Sequence, residues 1–460
     1  MNKPASNTRL AVQILVFLLV TLPISAQNKL PNIVIIYADD LGYGDLSSYG
    51  GDIPTPNIDR IGKEGIRFTD FYVSAPVCTP SRFSLLTGRY PQRSQHDLTK
   101  ALMPLHENYL DSSETTLAEY LKTKGYVTAL FGKWHLGAKN ENDSPMQHGF
   151  DIFTGFKPGC IDYFTHVYGS LGPNWFVNGK PAEEKGYSTE LITRHATEFL
   201  DEVKSNSTPF LLYLPYNAPH FGKTDPDDVR DHTVALSVTK YEGYPVMNSL
   251  QAPPAYMQKF AYIKDPYRRT YTAMVASLDD QVGVLLDKLE KDDLLENTII
   301  WFISDNGGYS ESYYGHASNG GLRGEKATLW EGGIRVPALM MWKSRVQPNQ
   351  TVDSPICNVD LLPTLASIIG FKDQLRPTLV DGLDIGSVLF KGKKLSRSIF
   401  WQYGNQTALR HDDWKLVDGK ELYNLREDRN ETTDVAESHP KLVRQLRRES
   451  DRIAEKLGEP

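Results

Sequence analysis

The chain has 460 residues, a formal net charge of −7, and 40% hydrophobic and 11% aromatic residues. This composition supplies enough apolar side chains for a large buried core, and the length suits one large domain with a smaller appendage. An acidic chain is a poor candidate for non-specific nucleic-acid binding, so any anionic substrate needs a locally basic pocket. Three cysteines do not form a disulfide framework in a chain of this size.

The first 26 residues have the pattern of a secretory signal peptide. Lys3 and Arg9 precede a short apolar run at 11–22, and small residues at 24–26 fit a cleavage site. We therefore expect export, through a cleaved signal peptide, to the periplasm or the extracellular space; an uncleaved anchor is the alternative. Because this segment has two basic and no acidic residues, its removal would change the net charge from −7 to −9. We expect no membrane span.

From residue 32 onward, predicted strands alternate with predicted helices. Short apolar runs rich in β-branched residues predict strands at 32–40, 66–73, 126–135, 209–217 and 298–306. Apolar residues with helical spacing predict helices at 57–65, 115–125, 188–204 and 267–291. Strands that are apolar on both faces and separated by helices predict an α/β fold with a mostly parallel sheet, sandwiched between helices.

Two segments depart from this alternation. Residues 221–265 are rich in Pro, Gly, Asp and Tyr with weak periodicity, and we interpret them as a long surface excursion. After residue 391, three short runs predict antiparallel strands and 439–458 predicts a terminal amphipathic helix. We therefore predict a signal peptide at 1–26, a large α/β domain at 27–390 and a small α+β subdomain at 391–460.

Polar side chains follow four of the predicted strands, at the ends where open α/β sheets bind ligands. Two of these strands are followed by acidic or amide groups and two by basic or imidazole groups, and a further lysine lies in a glycine-rich loop. These residues are Asp39, Asp40, Lys133, His135, His220, Asp305, Asn306 and Lys326. Together they predict one edge of the sheet with an acidic and a basic cluster.

The acidic cluster offers only oxygen ligands, which hard cations such as Ca²⁺ and Mg²⁺ select. For either motif alone, Asp-Asp-Leu-Gly or Asp-Asn-Gly-Gly, turn formation is the simpler interpretation. Their occurrence at two strand ends of one sheet favours a metal site made by Asp39, Asp40, Asp305 and Asn306.

The prediction that the basic residues are functional depends on their lying close together in the fold, because single lysines and histidines are usually solvated or structural. If the strand continues through His135, the two-residue period directs Lys133 and His135 to the same face. His220 follows a proline in an expected extended loop, and Lys326 lies among glycines.

Cys78 precedes Pro80, which suits the first turn of a helix. The thiol would then lie at a helix N-terminus, where the dipole favours an anion. An activated thiolate and a small buried side chain both fit this position. Sulfur is a poor ligand for a hard cation, so an oxygen here would suit the predicted metal site better. With Cys78 used for chemistry, Cys160 and Cys357 remain, and a disulfide between them is left open.

The segment CTPSR at 78–82, followed by LLTGR, resembles the signature of type I, formylglycine-dependent sulfatases. The resemblance spans residues 32–337 through the motifs PNIVIIYADDLGYGDL, FGKWHLG, NAPH, SDNGG and LRGEKATLWEGGIRVP. It implies an alkaline-phosphatase-like α/β fold with a smaller C-terminal subdomain that carries a short antiparallel sheet. It also implies an arylsulfatase-like sulfuric ester hydrolase that acts on a sulfated oligo- or polysaccharide.

The resemblance further implies that a formylglycine-generating enzyme oxidises Cys78 to formylglycine, whose hydrate is the nucleophile. One hydroxyl would attack sulfur, and deprotonation of the other would expel the sulfate. One Ca²⁺ per chain, preferred to Mg²⁺, would be bound by Asp39, Asp40, the modified Cys78, Asp305 and Asn306.

The basic residues receive roles from the same resemblance. Arg82 would hold the formylglycine, Lys133 would bridge formylglycine and sulfate, and His135 would be the base for sulfate release. His220 and Lys326 would hold the sulfate and the leaving oxygen, with His220 preferred as the acid.

Three alternatives are left open. A phosphodiesterase or phosphonate hydrolase of the same superfamily would use the same core, because phosphate and sulfate are both tetrahedral oxyanions. A non-catalytic glycan-binding protein would show no turnover, and a cysteine hydrolase would be inactivated by thiol alkylators. Aromatic residues in 241–262 and at Tyr309, Tyr313 and Tyr314 favour a sugar substrate. A sulfated galactan such as carrageenan is the first candidate, and a sulfated galactosamine is comparable.

Overall fold

The computed structural model describes residues 29–140, 143–205, 208–375 and 380–458. The predicted signal peptide at 1–26 lies outside these residues. Within them, no helix has the length and apolar character needed to cross a membrane. The strands are β1 Asn32–Ala38, β2 Ile66–Phe68, β3 Phe71–Tyr72, β4 Val127–Lys133, β5 Ile152–Phe156, β6 Phe176–Val177, β7 Lys180–Pro181, β8 Phe210–Pro215, β9 Gly222–Thr224, β10 Thr233–Tyr241, β11 Tyr244–Gln251, β12 Thr298–Ser304, β13 Ala338–Met341, β14 Gln350–Val352, β15 Ile356–Cys357, β16 Ser398–Tyr403, β17 Gln406–His411, β18 Trp414–Val417 and β19 Glu421–Asn424. The α-helices are α1 Pro56–Lys63, α2 Cys78–Thr87, α3 Leu117–Lys122, α4 Ser188–Lys204, α5 Pro254–Lys259, α6 Pro266–Lys291, α7 Glu331–Ile334, α8 Leu361–Ile369, α9 Gly386–Lys391 and α10 Pro440–Gly458.

A ten-stranded sheet forms the centre of the protein, in the order β14-β2-β13-β12-β1-β8-β4-β5-β6-β7. The five consecutive strands β12, β1, β8, β4 and β5 are all parallel. Antiparallel pairs occur only towards the two sides of this sheet, as in β12 with β13 and β5 with β6. The predicted mostly parallel α/β sheet is therefore confirmed.

Helices cover both faces of the sheet, which explains why β1 is apolar throughout. Every residue of β1 is buried. Val34 belongs to the same hydrophobic cluster as Val275 of α6, whereas Ile35 belongs to a second cluster with Phe83 of α2. Successive side chains of a strand point to opposite faces, so a strand between two layers of helices needs apolar residues at both sets of positions.

The predicted strand at 66–73 is divided in two. Its first part, β2, pairs with β13 and β14 in the large sheet, and its second part, β3, pairs with β15 in a separate two-stranded sheet. Asp70, between them, accepts hydrogen bonds from Arg335 at 2.7 Å and Arg410 at 2.8 Å. These partly buried ion pairs hold the chain where it leaves the large sheet.

The segment at 221–265, interpreted from the sequence as a long surface excursion, contains regular structure that its weak periodicity does not indicate. It includes a three-stranded antiparallel sheet in the order β10-β11-β9. Glu242 and Gly243 form the turn between β10 and β11, and both have positive φ, as two-residue hairpin turns require. The hairpin has a weak sequence signal, because Glu replaces the usual Asn or Asp before the glycine and Pro245 lies in β11.

The C-terminal antiparallel sheet is confirmed, with four strands in the order β16-β17-β18-β19 and with α10 after them. Trp401 and Tyr423 of this sheet share a hydrophobic cluster with Tyr72 and Ile334 of the larger part. The division of the chain at residue 390 stays a prediction.

The three cysteines are all free and buried among the described residues. Cys160 and Cys357 belong to different hydrophobic clusters, so the structure has no disulfide between them.

A buried ion-pair network joins the C-terminal sheet to the larger part. Lys415 Nζ of β18 lies 3.0 Å from Glu331 Oε1 of α7 and 2.7 Å from Glu431 Oε1, and all three side chains are fully buried. Burial raises the pKa of Glu331, but Lys415, Arg335 and a further arginine outweigh burial and hold it at about 2. The two parts are therefore joined by charges as well as by apolar packing.

We predict that Lys415→Met destabilises the protein, because it leaves two buried carboxylates without their shared cation. Breaking a buried ion pair in this way typically costs about 3 kcal/mol or more. Urea unfolding followed by circular dichroism measures the change. Lys420→Met, at an exposed position of the same sheet, is the control. Equal unfolding midpoints for the two variants would contradict a structural role of the network.

Candidate active site

The carboxyl ends of the central parallel strands bring the predicted site residues together. Ala38 of β1 pairs with Ser304 of β12, so Asp39 and Asp305 leave neighbouring strands side by side. Lys133 is the last residue of β4. Ten predicted residues are buried in this region: Asp39, Asp40, Cys78, Arg82, Lys133, His135, His220, Asp305, Asn306 and Lys326.

Two buried cations hold the carboxylates of Asp39 and Asp305. Lys133 Nζ lies 2.7 Å from Asp39 Oδ2. Arg82 donates to Asp305 Oδ2 through Nη2 at 2.8 Å and Nε at 3.2 Å, and its Nη2 is 3.6 Å from Asp39 Oδ1. Burial, the largest single influence, lowers the pKa of Lys133, but Asp39, Cys78 and Asp305 together outweigh it and raise the net pKa, so the lysine stays charged. Burial, with a smaller contribution from Asp39, raises the pKa of Asp305 to about 6.

A second set of contacts surrounds Asp40. Lys326 Nζ lies 2.6 Å from Asp40 Oδ1, and Asn306 Nδ2 donates to the same oxygen at 2.7 Å. His220 Nε2 is 3.4 Å from Asp40 Oδ2. Lys326 Nζ is also 3.9 Å from Cys78 Sγ. Lys326 therefore connects the acidic cluster with the thiol.

The donor set fits a hard cation. Asp39 Oδ1, Asp40 Oδ2 and Asn306 Oδ1 are buried and accept no hydrogen bond from the residues that the structure describes. Ligand atoms of Asp39, Cys78 and Asp305 lie within 4.8 Å of one another, and those of Asp39, Asp40 and His220 do so as well. A buried acceptor without a donor is costly, and a bound cation would remove that cost. The predominance of oxygen favours Ca²⁺ or Mg²⁺.

Cys78 is the first residue of α2, after Val77 in extended conformation, so the predicted helix start agrees with the structure. Burial is the main cause that raises the pKa of the Cys78 thiol above its ordinary value. A neutral buried thiol is a weak nucleophile, which argues against the cysteine hydrolase alternative.

His135 does not continue the strand. β4 ends at Lys133, and His135 has a φ of 59°, in the left-handed region, so the expected strand alternation at this residue is wrong. His135 Nε2 bonds to the Leu102 carbonyl at 2.8 Å, which requires the proton to be on Nε2. The buried Nδ1 has no partner among the described residues and therefore offers a free lone pair. Burial, followed by the charge of Lys133, lowers the pKa of His135, so the ring is neutral at neutral pH.

Both ring nitrogens of His220 face acceptors. Nδ1 is 2.7 Å from the Phe221 carbonyl, and Nε2 faces Asp40 Oδ2. Burial lowers the pKa of His220, against the attraction of Asp40.

Two supporting residues were not predicted from the sequence. Asn358 accepts a hydrogen bond from Ser74 N at 3.0 Å and donates to Ser81 O at 2.9 Å, so it fixes both sides of the start of α2. Tyr37 bonds to Ser81 Oγ at 2.8 Å, and the Arg82 guanidinium lies 5.3 Å from its ring centroid. Asn358 is 277 residues from Ser81 and has no sequence signal. Tyr37 could have been found, because it precedes the acidic pair by two positions in β1.

The fold and this cluster define an α/β enzyme with a candidate metal centre. A family model described as Sulfatase matches residues 31–371. The chain therefore belongs to the sulfatase family and is an enzyme of that class, which confirms the resemblance inferred from its motifs.

Known proteins support this assignment. The chain is 30% identical over 433 residues to Arylsulfatase J of Mus musculus, covering 87% of this chain and 66% of that protein, slightly less than two thirds of its length. It is 32% identical over 399 residues to N-acetylgalactosamine-6-sulfatase of Mus musculus, covering 82% of this chain and 68% of that protein. A crystal structure of Ps i-CgsB in complex with k-i-k-neocarrahexaose superposes with a TM-score of 0.82 at 31% identity, covering 94% of each chain.

We predict that Asn358→Ala destabilises the protein by about 2 kcal/mol, because it leaves buried hydrogen-bonding groups of Ser74 and Ser81 unpaired. Urea unfolding measures the loss. Gln347→Ala, at an exposed position, is the control and should leave the midpoint unchanged. An unchanged midpoint for Asn358→Ala would mean that α2 is held without this side chain.

Proposed function

We propose that the protein hydrolyses sulfate esters of a sulfated oligo- or polysaccharide, with Cys78 converted to formylglycine and one Ca²⁺ bound beside it. The observation that carries this proposal is the set of buried, unpartnered oxygens of Asp39, Asp40 and Asn306 next to Cys78 and Lys326. Family membership supports sulfate ester hydrolysis. The relative named N-acetylgalactosamine-6-sulfatase and the structure with k-i-k-neocarrahexaose support a sugar substrate, with a carrageenan-type galactan as the first to test.

Asp39, Asp40, the modified Cys78, Asp305 and Asn306 would hold the cation. When bound, Ca²⁺ supplies positive charge that polarises a sulfate oxygen and makes an oxygen nucleophile more acidic. Arg82 keeps two of the ligands in place through its bonds to Asp305 and its approach to Asp39. We therefore assign Arg82 to positioning of the ligands as well as of residue 78.

Lys133 and Lys326 supply fixed positive charge to the sulfate. Transfer of a sulfuryl group resembles phosphoryl transfer, in which catalysis is mainly positioning and stabilisation of charge. Asp40 and Cys78, together with a smaller contribution from Tyr309, raise the pKa of Lys326 well above its usual value despite the opposing effect of burial. Its ammonium group is therefore charged at neutral pH and lies 3.9 Å from Cys78 Sγ.

The two histidines suit opposite proton transfers. His135 is neutral and has a free lone pair on Nδ1, which suits the base for sulfate release. Both nitrogens of His220 face acceptors, one of them the Asp40 carboxylate, which would pair with the ring when it carries a second proton. Burial lowers the pKa of the ring, so a protonated His220 would give up that proton readily. His220 stays our choice for the proton donor to the leaving oxygen, with Lys326 as the alternative.

We predict that mass spectrometry of the peptide at residues 74–82 from active protein shows an aldehyde in place of the thiol. Cys78→Ala has no thiol or hydroxyl at this position that could be oxidised to the aldehyde. We expect it to lose on the order of 10³-fold or more in kcat, as removal of a nucleophile does. Cys160→Ala, at another buried cysteine, is the control. An unmodified thiol in fully active enzyme would refute the formylglycine mechanism.

We also predict that EGTA abolishes hydrolysis of an aryl sulfate and that Ca²⁺ restores it better than Mg²⁺ does. Asp305→Asn should weaken Ca²⁺ binding, measured by calorimetry, by at least about 100-fold, because one charged ligand is lost. Asp293→Asn is the exposed control. Full activity after chelation would remove the metal from the proposal. Faster hydrolysis of an aryl phosphate or a phosphodiester than of the sulfate would favour the superfamily alternative.

A further inference from the structure

A series of contacts leads from the buried cluster to Lys223 on β9. His220, next to Asp40, has its ring centroid 4.2 Å from that of Phe221. Lys223 Nζ lies 5.3 Å from the Phe221 ring centroid. The β-strand that carries Lys223 begins directly after these two rings, so the lysine has a fixed position relative to the site.

Lys223 is a partly buried cation without a counter-charge. Its Nζ lies over the rings of Phe221 and Tyr168, the latter at 5.6 Å, and donates to Asn248 Oδ1 at 2.6 Å. It forms no ion pair with any residue that the structure describes. Arg268, which is also partly buried, pairs with Asp45. Aromatic faces and a neutral amide offset only part of the cost of desolvating a cation.

An aromatic surface connects Lys223 with the reacting centre. The Phe221 ring centroid is 6.0 Å from that of Tyr309 and 5.3 Å from that of Tyr313, which is 37% exposed. Lys326 Nζ lies 5.3 Å from the Tyr309 centroid. One group of rings therefore contacts both lysines. Cations separated by aromatic faces are complementary to a sugar that carries two anionic groups.

We propose that Lys223 binds a second anionic group of the substrate, a sulfate ester or a carboxylate, on the sugar next to the one that carries the reacting sulfate. The rings of Tyr309 and Tyr313, which pack on the buried ring of Phe221, contact the sugars between the two groups. This inference rests on the proposed action on a sulfated saccharide and adds a residue that selects among such substrates. Lys223 takes no part in bond breaking.

The test uses three disaccharides with the same reacting sulfate. The neighbouring sugar is uncharged in the first, carries a second sulfate in the second and carries a carboxylate in the third. In Lys223→Met we expect the ratio of kcat/KM for a doubly charged to the singly charged disaccharide to fall about tenfold, through KM, as expected for one lost charge-assisted hydrogen bond. Lys240→Met, exposed on the same small sheet, is the matched control, and Lys223→Arg should restore the ratio.

If the ratio of kcat/KM falls in Lys223→Met for the disaccharide with the second sulfate, the ligand of Lys223 is a sulfate ester. If it falls for the disaccharide with the carboxylate, the ligand is a carboxylate. An unchanged ratio in an active enzyme, or an equal loss on all three substrates, overturns the inference. Failure of the proposed function has a different signature, because the wild-type protein would then release no sulfate from any of them.

Discussion

The site depends on the mutual compensation of buried charges at the ends of the central strands. Three carboxylates, of Asp39, Asp40 and Asp305, each have a cation of Lys133, Lys326 or Arg82 within 2.8 Å. Buried charges are costly unless they are paired, and removal of one partner leaves a charge that the interior cannot solvate. The five chain segments that carry these six residues must therefore assemble together. The oxygens of this cluster that have no hydrogen-bond partner among the described residues are the atoms that a bound cation would contact.

The order of strands in the sheet determines which functional side chains are neighbours at its edge. Across the sheet the order is β12, β1, β8 and β4, so two acidic strand ends adjoin each other, the histidine loop follows and the lysine strand lies beyond it. In a parallel sheet all these ends lie at one edge, and helix α2 brings Cys78 and Arg82 to the same place. The order of the acidic and basic strand ends along this edge thus follows from topology, and the ion pairs between them fix the positions of the side chains.

Much of this arrangement can be predicted from the sequence, because its two main signals, an apolar run and the polar residue that follows it, are local. The apolar run that ends at Asp39 and the run that ends at Asp305 each identify a buried strand and a polar residue at its end. Asn358 could not be found in this way, because its bonds to Ser74 and Ser81 exist only after distant segments pack. The conformation of His135 could not be predicted for a similar reason: β4 ends at Lys133 and His135 is left-handed, and hydrophobic periodicity detects neither change.

The charge count bears on how an acidic protein would act on the anionic saccharide that we propose as its substrate. In the buried cluster three carboxylates and three cations cancel, so the protein's own side chains there give no net attraction for an anion. Attraction must come from the added cation and from charges outside the cluster.

The overall charge of −7 opposes the approach of a polyanion, and salt screens that repulsion beyond about 10 Å. A partly buried lysine is screened less, so Lys223, which lies 5.3 Å from the Phe221 ring centroid, would contribute to recognition where distant surface charges cannot. Hydrolysis and selection of the substrate therefore depend on different charges. In the proposed mechanism the reacting sulfate is held by groups that any tetrahedral oxyanion would satisfy, so discrimination among substrates would depend on Lys223 and the neighbouring tyrosines.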